Sequence, residues 1–278
     1  MQTTTHHATD ADILIIGASG KTGQRVAQKL TQQNLSFRTA GRQTIPAFDW
    51  QQPGHWATCL AGVKTVYLTY SPDLAMPQAP ADIQHFCDIA KSQNVEHIVL
   101  LSGRGEPEAQ MCERIVQRSG MSWTVIRASW FLQNFTEGAF SPMVASGVIA
   151  LPVAEVKEPF IDIDDIAEIA VKALTHSDLV NQVYEVTGPR LLSFSELASE
   201  ISQITGQPMQ FQFLPQADFS HHLREQKTPE DAIFMLEYLF QEVLDGRNAF
   251  TTPGVENALQ RPATDPATAF QREFHARG

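Results

Sequence analysis

Four apolar residues, Ile13-Leu14-Ile15-Ile16, run straight into Gly17-Ala18-Ser19-Gly20-Lys21-Thr22-Gly23, and a helix-length amphipathic segment opens at Lys21. A strand, three glycines spaced three apart, and a helix leave few folds open. Glycine allows the tight turn, lets backbone approach a pyrophosphate, and permits close packing of helix on strand. The helix start presents free N–H groups to an anion. The bland alternative is an ordinary strand-to-helix turn, but a place at the head of an alternating strand and helix series favours a dinucleotide. Gly17, Ser19, Gly20, Lys21, Thr22 and Gly23 are therefore expected to hold the cofactor. Gly20-Lys21-Thr22 imitates the end of a nucleoside triphosphatase loop, but that motif needs a glycine where this chain has Ile15.

The next strand ends in Thr39-Ala40-Gly41-Arg42, where an NAD-specific protein places an acid for the ribose 2′-hydroxyl. Arg42, with Lys21, instead offers cations that suit a 2′-phosphate. NADP(H) is thus expected over NAD(H), the competing reading of Arg42 being a solvated surface charge.

Apolar runs of strand length alternate with amphipathic stretches through the first half, which predicts a doubly wound parallel sheet of α/β class. Strands are expected at Asp12–Ile16, Ser36–Ala40, Thr65–Thr69, His97–Ser102 and Trp123–Arg127, with helices near Lys21–Gln33, Pro80–Gln93 and Glu106–Ser119. Gly138, Pro142, Gly147 and Pro152 mark a loop-rich crossing over 136–160, before an apolar segment at Pro159–Ile163. Asp164 or Asp165 reads as the cap of a helix at Ile166–Leu174, and Val183–Val186 as a further strand. Helices at Phe194–Thr205 and Pro229–Leu244 flank a strand at Met209–Leu214, a small C-terminal α/β lobe. The expected division is a polar, disordered lead-in at 1–11, a dinucleotide-binding domain at 12–190 and a substrate lobe at 191–278.

A formal net charge of -11 over 278 residues argues against nucleic acid and anionic membrane as partners. No apolar run reaches bilayer length, and Met1–Ala11 lacks the pattern of a secretory signal, so a cytoplasmic protein with a small-molecule substrate is expected. Cys59, Cys87 and Cys112 have no CxxC spacing and read as buried thiols, with no metal site. Monomer and homodimer both stay open.

Longer segments then resemble the NmrA-like branch of the atypical short-chain dehydrogenase/reductases. The carrying stretches, besides the glycine turn, are Leu100-Leu101-Ser102-Gly103-Arg104-Gly105 and Trp123-Thr124-Val125-Ile126-Arg127-Ala128-Ser129-Trp130-Phe131-Leu132-Gln133-Asn134-Phe135. Phe160-Ile161-Asp162-Ile163-Asp164-Asp165-Ile166-Ala167 and Tyr184-Glu185-Val186-Thr187-Gly188-Pro189 continue it over nearly the whole chain. Within the branch it is most similar to bacterial relatives of the festuclavine and agroclavine dehydrogenases of ergot alkaloid biosynthesis. The resemblance implies an NADP-binding Rossmann domain, with Tyr70, Ser71 and Ser102 beside the cofactor and Trp130, Phe131 and Asn134 at the mouth of a substrate crevice.

One departure stands out. Ordinary members of the superfamily use a Tyr and a Lys four residues apart to protonate a carbonyl oxygen, and those positions fall here at about Gly105 and Ala109. Losing a positioned acid costs roughly 10²–10⁴-fold in carbonyl reduction. Ser102 and Glu113 remain as candidates for a catalytic role. An iminium acceptor needs no proton, and a quinone or azo acceptor can take one from water, so both fit a site that works by positioning. Trp130, Phe131 and Phe135 suit a flat or cationic acceptor and equally suit core packing. Asp162, Asp164 and Asp165 read as a strand end and helix cap before a carboxylate site, and His221-His222 as a solvated turn. The competing functional reading is a non-catalytic, NADP(H)-binding redox sensor and regulator of the NmrA type.

Overall fold

A computed structural model describes residues 11–275, so the expected lead-in lies, except for Ala11, outside the described residues. The first elements in chain order are β1 (Ile13–Ile16), α1 (Lys21–Gln32), β2 (Phe37–Ala40), α2 (Trp56–Leu60), β3 (Thr65–Leu68), α3 (Ala79–Ser92) and β4 (His97–Gly103). There follow α4 (Pro107–Arg118), β5 (Ser122–Ala128), α5 (Ser141–Ser146), β6 (Val148–Leu151), β7 (Lys157–Glu158), α6 (Ile163–Thr175) and β8 (Gln182–Val186). The last are β9 (Leu192–Ser193), α7 (Phe194–Thr205), β10 (Gln210–Phe213), α8 (Gln216–Glu225), α9 (Glu230–Tyr238), α10 (Gly254–Leu259) and α11 (Pro266–His275).

β2, β1, β3, β4, β5 and β8 lie in that order in one sheet, the doubly wound arrangement the alternation predicts. β1 pairs in parallel with both β2 and β3. The chain therefore leaves β1 to one side and returns on the other, which makes the end of β1 a topological switch point. All four residues of β1 are buried, as a strand covered on both faces requires. Leu14, Ile16, Val66, Leu68, Ile98 and Leu100 pack with Phe48, Trp56 and Phe86 on one face. Truncating the fully buried Phe86 to Ala would cost about 3–5 kcal/mol.

The chain forms two compact units. The first takes Met1–Gly103 as far as it is described, Pro107–Arg127 and Ile166–Tyr184; the second takes Arg104–Glu106, Ala128–Asp165 and Glu185–Gly278 as far as described. Phe135, Phe140, Phe160, Phe194, Phe219, Phe240 and Phe270 centre the core of the second. There β6 and β10 form a parallel pair, and β7 pairs antiparallel with β9.

Several elements differ from expectation. α6 starts at Ile163, before the expected Ile166, because the Asp162 carboxylate accepts the Asp164 N–H at 3.0 Å and the Gln133 side chain accepts that of Ile163 at 3.1 Å. The helix expected over 229–244 is α9 followed by a wider π turn at Leu239–Val243. His221 and His222 stand on α8 and not in a turn, with His221 3.3 Å from Glu225 one helical turn on. The crossing at 136–160 contains a helix and two strands, α5, β6 and β7, that its Gly and Pro content conceals.

Candidate cofactor site

The glycine turn sits at the switch point, and its three glycines are required for different reasons. Gly17 has φ +80°, and a Cβ there would lie 2.1 Å from Thr69 Oγ1, which itself donates to the Ile16 carbonyl at 3.0 Å. A Cβ on Gly23 would meet the Gly17 carbonyl oxygen at 2.3 Å, so this glycine lets α1 lie close on the turn. Gly20 is less confined. Its φ is -80°, and a Cβ would touch only the Gly17 oxygen at 3.2 Å. A methyl at Gly20 would press on that backbone oxygen by a few tenths of an ångström, far less than one at Gly17 or Gly23.

The open side of the turn has the character of an anion site. Among the described residues, the N–H groups of Ala18 and Ser19 make no hydrogen bond, whereas those of Gly17 and Gly20 bond to Ala40 and Gly17 carbonyls. α1 has no side-chain cap and no acid in its first turn, so the positive end of its dipole is left uncompensated. Lys21 is half-buried and Thr22 buried at the same end. Arg42, just beyond β2, is exposed and makes no hydrogen bond or ion pair among the described residues. These groups fit the pyrophosphate and 2′-phosphate of NADP(H): bare donors, a dipole and an uncommitted guanidinium.

Tyr70 and Ser71 follow β3. The Tyr70 hydroxyl donates to Asp82 at 2.6 Å, and its ring lies 4.6 Å from that of Trp50. Burial, followed by Asp82, holds this phenol well above its ordinary pKa. The Tyr70 hydroxyl is thus engaged by Asp82, while Ser71 is exposed.

At the end of β4 the Ser102 hydroxyl donates to Glu113 of α4 at 2.6 Å. Arg127 of β5 donates through Nε to the same Glu113 oxygen at 2.9 Å and through Nη2 to the other. Glu113 is only 2% exposed, and this fork satisfies both of its oxygens. Glu113 consequently orients Ser102 as an acceptor toward any ligand, and its own oxygens are engaged. No Tyr or Lys occurs in α4.

The residues expected at a substrate crevice lie in the second unit. Trp130 is half-buried, stacked on Phe140 at 6.3 Å between centroids and edge-on to Phe194 at 5.9 Å. Phe131 bridges to Ile161, Asn134 is half-buried, and Phe135 is fully buried. A cavity of about 420 Å³ lies within the same unit, lined by Phe135, Val144, Ile204, Met209 and Phe274 with Thr136 and Thr205. Asp162 accepts from Arg272 at 3.0 Å and Asp165 from Arg261 at 2.8 Å, so these carboxylates serve the fold. No group of three His, Cys, Asp or Glu suited to a metal occurs among the described residues.

One arrangement has no counterpart in the sequence reading. Arg104 donates through Nε to Glu185 at 2.7 Å and through Nη1 to the Asn248 carbonyl at 2.7 Å, but its buried Nη2 has no partner. Glu158 of β7 is fully buried with neither oxygen hydrogen-bonded. The only advance signal was Arg104 within the Ser102-Gly103-Arg104-Gly105 stretch.

A model of the NmrA-like family matches residues 109–265, and one of NAD(P)H-binding proteins matches residues 17–177. Agroclavine dehydrogenase of Claviceps fusiformis is 30% identical over 246 residues, covering 80% of this chain and 83% of that one. NAD(P)H azoreductase of Xenophilus azovorans is 30% identical over 223 residues, covering 72% and 76%. The triphenylmethane reductase of a Citrobacter species, solved with NADP(H), matches in fold with a TM-score of 0.79 at 17% identity, covering 94% of this chain and 99% of that one.

Proposed function

The chain belongs to the NmrA-like family, and from that premise we propose that it is an NADPH-dependent oxidoreductase passing hydride to a small aromatic acceptor of quinone, azo or iminium type, without a Tyr/Lys acid pair. The observation that carries this reading is the open glycine turn with its bare Ala18 and Ser19 N–H groups, followed by an uncommitted Arg42. The turn takes the pyrophosphate and Arg42 the 2′-phosphate, so NADPH is held in preference to NADH.

Bound NADPH supplies a hydride; the chain supplies position. Ser102, held by Glu113 and Arg127, offers an acceptor at the nicotinamide end, and Tyr70 and Ser71 line the cofactor. The superfamily's Tyr aligns at about Gly105, whose surroundings support the reading without that acid. Gly105 has φ +81°, and a Cβ there would meet Asn248 Nδ2 at 2.5 Å. A side chain at 105 is thus disfavoured by the backbone and would have to displace the Asn248 amide. Acceptors that need no protein acid at the instant of transfer match such a site, where alignment alone supplies much of the rate. Two relatives at 30% identity support an oxidoreductase role, and one of them, an azoreductase, supports an azo acceptor. Trp130, Phe131 and Asn134 are the residues assigned to contact the acceptor.

The test is NADPH consumption with duroquinone, an azo dye and an N-alkyl dihydroisoquinolinium. The proposal expects stoichiometric oxidation with at least one. Silence with all three, in protein shown to bind NADPH, would remove the catalytic reading and leave a cofactor-binding regulator.

A further inference from the structure

Arg42 can tell NADPH from NADH only if its guanidinium is held where the 2′-phosphate arrives, and an exposed arginine is spread over many rotamers. The backbone that carries it is tied down at both ends. The Gly17 N–H of the glycine turn donates to the Ala40 carbonyl at 3.2 Å, which fastens the end of β2 to that turn two residues before Arg42. Residues 41–44 then form a hydrogen-bonded β-turn, the Thr44 N–H donating to the Gly41 carbonyl at 3.2 Å, with Arg42 and Gln43 at its corners. The Phe48 N–H reaches the same carbonyl at 2.9 Å, and Phe48 is buried with Trp56 and Phe86.

The Thr44 hydroxyl closes the turn a second time. It accepts the Gly41 N–H at 3.0 Å and lies 2.7 Å from the Pro46 carbonyl and 2.9 Å from that of Gly41, to either of which its proton can go. One side chain therefore joins the residue before Arg42 to the residue two past itself. Thr44 is half-buried, whereas Arg42 is exposed and makes no hydrogen bond or ion pair among the described residues. A hydroxyl fully engaged with backbone stands beside a guanidinium engaged with nothing: the first shapes the turn, and the second is left for a ligand.

We propose that Thr44 is a positioning residue for cofactor choice, its hydroxyl fixing the turn at 41–46 so that Arg42 is presented to the 2′-phosphate of NADPH. This rests on the reading above that Arg42 takes that phosphate. Thr44 acts through Arg42 and touches no phosphate itself. Ordering completed before binding is ordering the ligand need not impose, so a fixed turn raises affinity without adding a contact. Without the hydroxyl the turn keeps its backbone hydrogen bonds but not its second closure. The loss then falls on NADPH, whose 2′-phosphate Arg42 reads, and not on NADH.

Calorimetric titration of NADPH and NADH into the full chain reads this effect with no turnover. Thr44→Val keeps the shape of the side chain without its hydroxyl and should weaken NADPH about three- to tenfold while leaving NADH within about twofold. Thr44→Ser, which retains the hydroxyl, should bind both cofactors within about twofold of wild type. In an Arg42→Ala background Thr44→Val should lower NADPH affinity no further, since no guanidinium is left to place. Thr44→Ala repeats the measurement should valine crowd the turn, and thermal melting identifies the folded variants. Wild-type NADPH affinity in the hydroxyl-free variants, equal losses toward NADH, or a loss that persists in the Arg42→Ala background overturns the assignment. If Arg42→Ala alone spares NADPH, the 2′-phosphate reading falls and this assignment with it. A selective loss in Arg42→Ala with none in Thr44→Val refutes the role of Thr44 alone, so the two failures are distinct.

Discussion

The two units treat a buried glutamate in opposite ways. Glu113 in the first has both oxygens taken, by Ser102 and by a forked Arg127, whereas Glu158 in the second has neither. A fully satisfied network fixes geometry, since each member holds the next and none is free to exchange. An unsatisfied one leaves an energetic debt that a proton or a ligand can settle. The contrast separates a carboxylate that positions Ser102 from one whose buried oxygens have no hydrogen-bond partner.

Removing Glu113 should therefore be the more damaging change. Glu113→Ala strands Arg127 and Ser102 and is expected to cost about 3 kcal/mol, read as a lower midpoint in urea unfolding. A loss below about 0.5 kcal/mol would erase the contrast. Gly23→Ala strikes the same unit through packing. Its Cβ would meet the Gly17 carbonyl carbon at 2.8 Å and oxygen at 2.3 Å, which should cost about 1–3 kcal/mol in thermal unfolding. Arg42 is exposed and makes no hydrogen bond or ion pair among the described residues, so Arg42→Ala should leave stability unchanged while lowering NADPH affinity about tenfold or more and sparing NADH. Equal losses for both cofactors would show that Arg42 does not read the 2′-phosphate.

The pH dependence of stability carries two further effects, and they have opposite signs. Glu158 titrates at about 7 in the folded chain against an ordinary 4.5, so the folded state holds the proton longer and stability falls as pH rises from about 4.5 to 7. His97, buried in the first unit with Nε2 3.2 Å from Thr124 Oγ1, is held down to about 4 against 6.5 by desolvation. The unfolded chain takes that proton first, so stability falls as pH drops from 6.5 to 4. Chemical denaturation across pH should show Glu158→Gln losing only the first slope and His97→Gln only the second. A shared response would mean the assignments are wrong.

Local signals made much of the fold legible before any coordinates. α7 starts and ends where its residues say, because Ser193 and Glu196 form a reciprocal cap and Gly206 takes the left-handed conformation after it. The glycine turn was equally plain. β6 was not, since its partner β10 is some sixty residues away and only that pairing makes Val148–Leu151 a strand. α6 was misplaced by three residues because part of its cap comes from Gln133, distant in sequence. The same limit hid Arg104, which Asn248 and Glu185 hold through contacts 144 and 81 residues apart.

Cofactor binding at the turn is most directly tested by calorimetric titration of NADPH and NADH into wild type and Gly20→Ala. A methyl at Gly20 asks only for a shift of a few tenths of an ångström at the Gly17 oxygen, so the variant should still fold, as its melting curve would check. Wild type should bind NADPH more tightly than NADH, and Gly20→Ala should lose about tenfold or more toward both, since the methyl stands where the pyrophosphate must approach. A folded Gly20→Ala protein that binds NADPH as well as wild type would contradict the placement of the cofactor on this turn.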